Sequence, residues 1–167
     1  MATVDLATAK LMVQLVGTLI GSNGARQNLD VAHSEVYSDG SGASQAGNCW
    51  VTKGGSVAAS GTASIDCSGW SDFTGTARAP TNIKAIIIEV TAVDVSGGTL
   101  LVSAGASNHL ATMFPDASKG FNMKGKGIFV LTSPEEGWTV TAGTGDLLLL
   151  SASTATFTYN LHLLVGI

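Results

Sequence analysis

The chain has 167 residues, a formal net charge of −4 and only 12% charged side chains, against roughly 25% in an ordinary globular domain. That length supports one domain with a real core; two domains would be small and would need a linker, and the sequence shows none. Eight Lys plus Arg scattered through an acidic chain give no basic face for phosphates, which argues against a direct nucleic-acid partner.

A membrane helix needs roughly 20 apolar residues in a row. The best stretch, residues 11–20, is too short and is interrupted by Gln14, Gly17 and Thr18. It also lacks a basic leader, because Asp5 precedes it and Lys10 is the only cation before it. Neither a membrane span nor a signal peptide is expected. A chain so poor in charge and with a mean hydropathy of +0.34 is instead expected to cover part of its surface with other chains, since large apolar patches are rarely left in water.

Taken in chain order, the pattern predicts short strands throughout. Residues 1–9 read as an N-terminal arm. Strands are expected at 10–20, 28–32, 35–37, 48–52, 57–66, 83–93, 99–104, 128–132, 138–141, 147–151 and 156–165, where Thr and β-branched residues recur. Gly, Ser, Asn and Asp clusters separate them, such as Gly21-Ser22-Asn23-Gly24, Gly54-Gly55 and Gly143-Thr144-Gly145-Asp146. Residues 38–82 are the least patterned and read as a long surface excursion. The run 83–90 is the most hydrophobic, with Ile86, Ile88 and Val90 on one face and Lys84 and Glu89 near its ends, where charge can reach water. The last strand is the clearest: Phe157, Tyr159, Leu161, Leu163 and Val165 alternate with Thr158, Asn160, His162 and Leu164. A period of two places the five large residues on one side of a sheet. No window carries a helical stripe; residues 107–114 could form one turn at most. The expected fold is a single-domain antiparallel β-sandwich, jelly-roll-like, over residues 10–167.

Motifs of catalysis are missing or broken. The segment Gly120 to Gly127 matches seven positions of a phosphate-binding loop, but Gly127 stands where Ser or Thr must ligate magnesium, and a strand follows instead of a helix. Lys119, Lys124 and Lys126 then read as a basic loop, solvated or facing an acidic neighbour. Gly69-Trp70-Ser71-Asp72-Phe73 lacks the second Gly of a nucleophile elbow. His33, His109 and His162 are far apart in sequence, and Asp39-Gly40-Ser41-Gly42 lacks the alternating acids of a calcium loop. Asp39 and Asp146 read as turn formers. Trp50, Trp70 and Trp138 could make a sugar-stacking platform, although Trp in a β-protein more often fills core or interface. Cys49 and Cys67 can form at most one bridge and read as free thiols. No enzyme, cofactor or metal is expected.

Several stretches in order, among them Ser38-Asp39-Gly40-Ser41-Gly42-Ala43, Asn82-Ile83-Lys84-Ala85-Ile86-Ile87-Ile88, Gly137-Trp138-Thr139-Val140-Thr141-Ala142-Gly143-Thr144-Gly145-Asp146 and the closing Thr158 to Ile167, carry a likeness. On them the chain resembles small virion structural proteins of tailed bacteriophages. The resemblance implies an all-β domain on the phage head, assembled in the host cytoplasm and without catalytic residues.

Composition and resemblance together lead to one expected function, a capsid decoration or cement protein that bridges subunits of the major capsid protein on the outer shell. Self-association as a trimer, ahead of a dimer, is expected from the symmetry of capsid lattices. Expected contact segments are the arm, residues 38–56 and residues 115–127, with Asp39, Ser41, Trp50, Lys119, Lys124 and Lys126 as contact residues. The alternatives are a receptor- or carbohydrate-binding module and a tail tube or connector protein.

Overall fold

The computed structural model describes residues 8–20, 26–40, 42–71, 75–105, 107–116 and 119–167. Ser41, the cluster at 21–24 and residues 1–7 of the expected arm lie outside the described residues. Thr8 and Ala9 already belong to a strand.

Among the described residues every regular element is a strand. In chain order they are β1 (Thr8–Ile20), β2 (Arg26–Ser38), β3 (Asn48–Val57), β4 (Thr62–Asp66), β5 (Trp70–Ser71), β6 (Ala77–Arg78), β7 (Asn82–Val93), β8 (Thr99–Ser103), β9 (Gly120–Lys124), β10 (Gly127–Thr132), β11 (Trp138–Thr139), β12 (Leu147–Ala152) and β13 (Phe157–Gly166). One sheet has the order β10-β7-β13-β3, with β11 also on β7; the other has the order β4-β12-β8-β9.

The pairing of the eight body strands is nested. The first, β3, pairs with the last, β13. Moving inward, β4 pairs with β12, β7 with β10, and β8 with β9, all antiparallel. That is a four-pair hairpin rolled into two packed sheets, the jelly-roll arrangement. The sheets bury their facing sides against each other: Ile86, Ile88 and Val90 of β7 and all five alternating residues of β13 meet Leu100, Val102, Leu148 and Leu150 in one core. Period-two alternation along β13 is what produces this, because each inward residue lands between neighbours on the opposite sheet.

Residues 38–82 are not a surface excursion. They supply β3 and β4, one edge strand for each sheet. Their outward Gly, Ser and Thr positions look patternless because an edge strand packs against one neighbour only. Gly54-Gly55 is not a turn either. Gly54, at a φ of 68°, sits in a bulge where the β3–β13 register shifts, so the strand continues to Val57. The chain turns instead at Ala58 to Gly61, closed by the Gly61 amide on the Ala58 carbonyl at 2.8 Å. Residues 120–124, within the expected contact loop, form β9, and Lys84 is buried rather than solvated.

One element stands apart. β1 and β2 form a hairpin with 13 paired positions that joins neither main sheet. Its root is tied down: Tyr37 is fully buried, in a small cluster with Ala46, Ala85 and Leu164 that Ala9 and Leu11 cover.

Candidate functional site

Strand register aligns the outward side chains of the β10-β7-β13-β3 sheet into rows. Thr132, Ala85, Leu164 and Cys49 form one row, and Val130, Ile87, His162 and Val51 the next. Neither row contains Lys, Arg, Asp or Glu. A third row brings Ile128 beside Glu89 and Asn160. There the Asn160 amide donates to the Glu89 carboxylate at 2.9 Å and accepts from the Gly54 amide at 3.1 Å. A groove of about 150 Å³ runs between the hairpin root and this face, lined by Ala9, Leu11, Ala85, Ile87, His162 and Leu164 among others.

The hairpin adds exposed apolar side chains beside the charged Lys10 and Glu35. Met12 is 61% exposed, Val36 54% and Val13 44%. At about 3.4 Å per residue, a strand of this length spans ~44 Å. His33 Nε2 lies 3.0 Å from the Glu35 carboxylate, on the same side of the ribbon as Leu11 and Val13.

A second surface lies along the side of the sandwich where β9 and β10 are the outer strands of their sheets. Phe114, Phe121 and Phe129 form a chain of rings, with centroids 6.2 and 5.2 Å apart. Phe121 is half exposed, whereas Ile128, two-thirds exposed, lies on the other side of β10 in the row with Glu89. Lys124 and Lys126 flank Gly125 at the turn between the two strands, and both are exposed.

Three of the six expected contact residues, Lys119, Lys124 and Lys126, therefore border one patch. Lys119 lies just before β9, exposed, with its ammonium 4.0 Å from Asp116. Asp39 is exposed in the bend after β2. Trp50 lies on β3, within the expected strand 48–52. Its indole stacks on buried Trp70, with centroids 5.8 Å apart and planes 14° from parallel, and it packs against the core. Phe121 falls within the expected contact segment 115–127 but was not singled out, and Ile128 and the exposed hairpin residues lie outside the expected segments. Phe121 stands beside the lysines in sequence, and that adjacency was the available signal.

The chemistry within reach is limited. Cys49 and Cys67 are both free thiols. Burial, then Asp66 and Asp146, push the Cys67 thiol up to about 12, so it is no nucleophile. Asp146 is buried and accepts from the Gly143 amide, closing the turn at Thr141 to Asp146. Among the described residues no three of His, Cys, Asp and Glu come together as metal ligands would. A second groove, about 240 Å³ on the outside of the other sheet, is lined by Thr62, Ser64, Gly105, Ser107, Leu147 and Leu149, with no titratable group. What the described surface offers is contact area. Neither the scan of protein-family models nor the search of curated proteins returns a match.

Proposed function

We propose that the protein is a non-enzymatic virion structural protein, a capsid decoration or cement protein that binds the outside of the major capsid shell and bridges its subunits. The observation that carries this reading is the patch along β9 and β10. It combines half-exposed Phe121, whose ring meets that of Phe129, with Lys124 and Lys126 at the adjoining turn. An apolar centre with a polar rim is the anatomy of a protein-binding surface, and aromatic side chains supply much of the energy of such contacts. Bridging adds effective concentration to modest single contacts. The jelly roll is used in viral capsid and lectin domains. That is analogy at the level of fold, since function resides in the surface and not in the architecture.

Cosedimentation with purified capsid shells, and a rise in the temperature at which shells disrupt, are the expected results. Phe121→Asp is expected to lower shell affinity at least tenfold while leaving the far-UV spectrum unchanged. A folded wild-type chain that ignores shells would overturn the proposal.

The carbohydrate-binding alternative would draw on clustered, exposed tryptophans. Trp70 is 8% exposed, and Trp50 and Trp138 are half-buried against the core, so the aromatic area is spent on packing. The tail tube or connector alternative calls for rings in solution, which the mass of the purified chain tests directly.

A further inference from the structure

We infer that the outer edge of β10 pairs with itself: in solution it adds antiparallel to β10 of a second copy, across a two-fold axis, and joins the two β10-β7-β13-β3 sheets into one. This inference goes beyond the shell-binding proposal and does not rest on it.

β10 ends its sheet, with β7 on one side only. The backbone groups that face away from β7 follow from the pairing. The Ser133 amide donates to the Lys84 carbonyl at 2.9 Å. Opposite residues of an antiparallel pair alternate between bonded and unbonded. In the unbroken register, Leu131, Phe129 and Gly127 therefore also bond to β7, while Ile128, Val130 and Thr132 turn their amides and carbonyls outward. Among the described residues no strand pairs with that side, and none of these three has another hydrogen-bond partner. A row of unpaired donors and acceptors is a template for one more strand.

Composition separates this edge from the others. β3, β4, β9 and β10 end the two main sheets. Lys53 interrupts β3, and β4 and β9 close on Asp66 and Lys124. Charges on an edge strand keep copies apart. β10 carries none, and its Ile128-Phe129-Val130-Leu131-Thr132 run is mostly β-branched and aromatic, the residue types that suit a sheet.

Charge at the two ends of β10 selects a second copy as the occupant and sets its direction. Lys124 and Lys126 stand exposed before the strand, and Glu135 and Glu136 stand exposed just past it. The acidic end is held in place, because the Ser44 amide donates to the Pro134 carbonyl at 2.8 Å and the Lys84 ammonium to the Glu135 carbonyl at 2.6 Å. Antiparallel pairing centred on Val130 sets Ile128 against Thr132 of the second copy and brings each lysine end to the other copy's glutamate end. Parallel pairing would set lysines beside lysines, which is unfavourable. Behind the edge, β7 carries one opposite charge near each end. Both are taken up within their own copy: Lys84 is buried under the loop, and Glu89 accepts from the Asn160 amide. Main-chain bonds supply the affinity in such strand addition, and an isologous pair closes at two copies.

Sedimentation equilibrium of the full chain, without shells and over a range of concentrations, tests the inference. The wild type is expected to approach twice the 16.9 kDa chain mass and to dissociate more readily at high salt. Val130→Pro removes only an amide that β7 does not use, at a position where an edge strand accepts proline. It is expected to halve the mass, to the single chain, with an unchanged far-UV spectrum. Should that variant not fold, charge reversal decides. Lys124→Glu with Lys126→Glu, and separately Glu135→Lys with Glu136→Lys, are each expected to sediment as single chains, and an equal mixture of the two to return to twice the chain mass. A wild type that is monomeric at every concentration or assembles to three or more copies overturns the inference. So do folded variants that keep the wild-type mass, and a mixture that stays at the single-chain mass. A dimer that dissociates as described but ignores shells leaves it standing while the shell-binding proposal falls; a monomer that cosediments with shells does the reverse.

Discussion

The ammonium of Lys84, only 1% exposed, donates a 2.6 Å hydrogen bond to the backbone carbonyl of Glu135. The contact pins the connection between β10 and β11, both of which pair with β7. Lys84 sits beside the register shift between Leu164 and Val165 of β13. Its amine crosses to the loop instead of reaching water.

Burial lowers the Lys84 pKa from its ordinary 10.5, and Glu136 pulls weakly the other way. A base with a lower pKa in the folded state binds fewer protons folded than unfolded, so its contribution to stability rises with pH up to the ordinary lysine value. Lys84→Met removes a hydrogen bond to a charged donor, which contributes ~1.5–3 kcal/mol, and also removes the desolvation of a buried charge, which is of comparable size. The variant is expected to match wild-type stability within ~1 kcal/mol near neutral pH, and the wild type to gain on it as pH approaches 10.5. Urea titrations at several pH values check both. Hydrogen exchange at the Ser133 and Gly137 amides is expected to quicken in the variant.

Gly137 closes the same loop, its amide donating to Ser133 Oγ at 3.2 Å. Its φ is 75°, and a Cβ there would lie 2.8 Å from the Ile83 carbonyl oxygen and 3.1 Å from the Lys84 side chain. Gly125, with a φ of 64°, has nothing within 4 Å. Gly125→Ala is expected to cost ~1 kcal/mol from backbone strain alone, and Gly137→Ala at least ~2 kcal/mol because a carbonyl must also move. Equal costs in chemical denaturation would refute the steric account.

Cys67 is 1% exposed and its thiol donates to the Ile65 carbonyl at 3.7 Å, whereas Cys49 faces outward. Alkylation at about pH 9 is expected to modify Cys49 and spare Cys67 in the native protein, and to modify both in denaturant. Burial raises the Cys49 thiol too, so its native rate is expected to fall below that of a free thiol. Mass spectrometry of the digested protein reads out each site.

The core was legible where alternation is strict. Every inward residue predicted for β13 is buried, and so are Ile86, Ile88 and Val90 of β7, because a period of two states which side of a strand must leave water. Asp146 was legible as a turn former because its side chain bonds within its own turn. Gly54-Gly55 misled because a glycine pair serves a bulge as well as a turn, and only the β13 partner across the gap decides between them. Lys84 misled because a long side chain can bury its stem and bond a carbonyl 51 residues away. The contact surfaces were half legible. The lysines of the β9–β10 turn were singled out, while Phe121 and Ile128 became surface features only when β9 and β10 were placed at the outer edges of two different sheets.

Local order along the chain fixed that this protein is built of strands, which side of its best strands faces inward, and that little charge would be available outside. Those properties depend on neighbours one and two positions away. The nested pairing of β3 with β13 and β4 with β12, the side-by-side placement of β9 and β10, and the projection of the β1–β2 ribbon arise from contacts between residues far apart in sequence. Alternation specifies a side for each strand but not the strand beside it, so these could be decided only by the packing of two whole sheets.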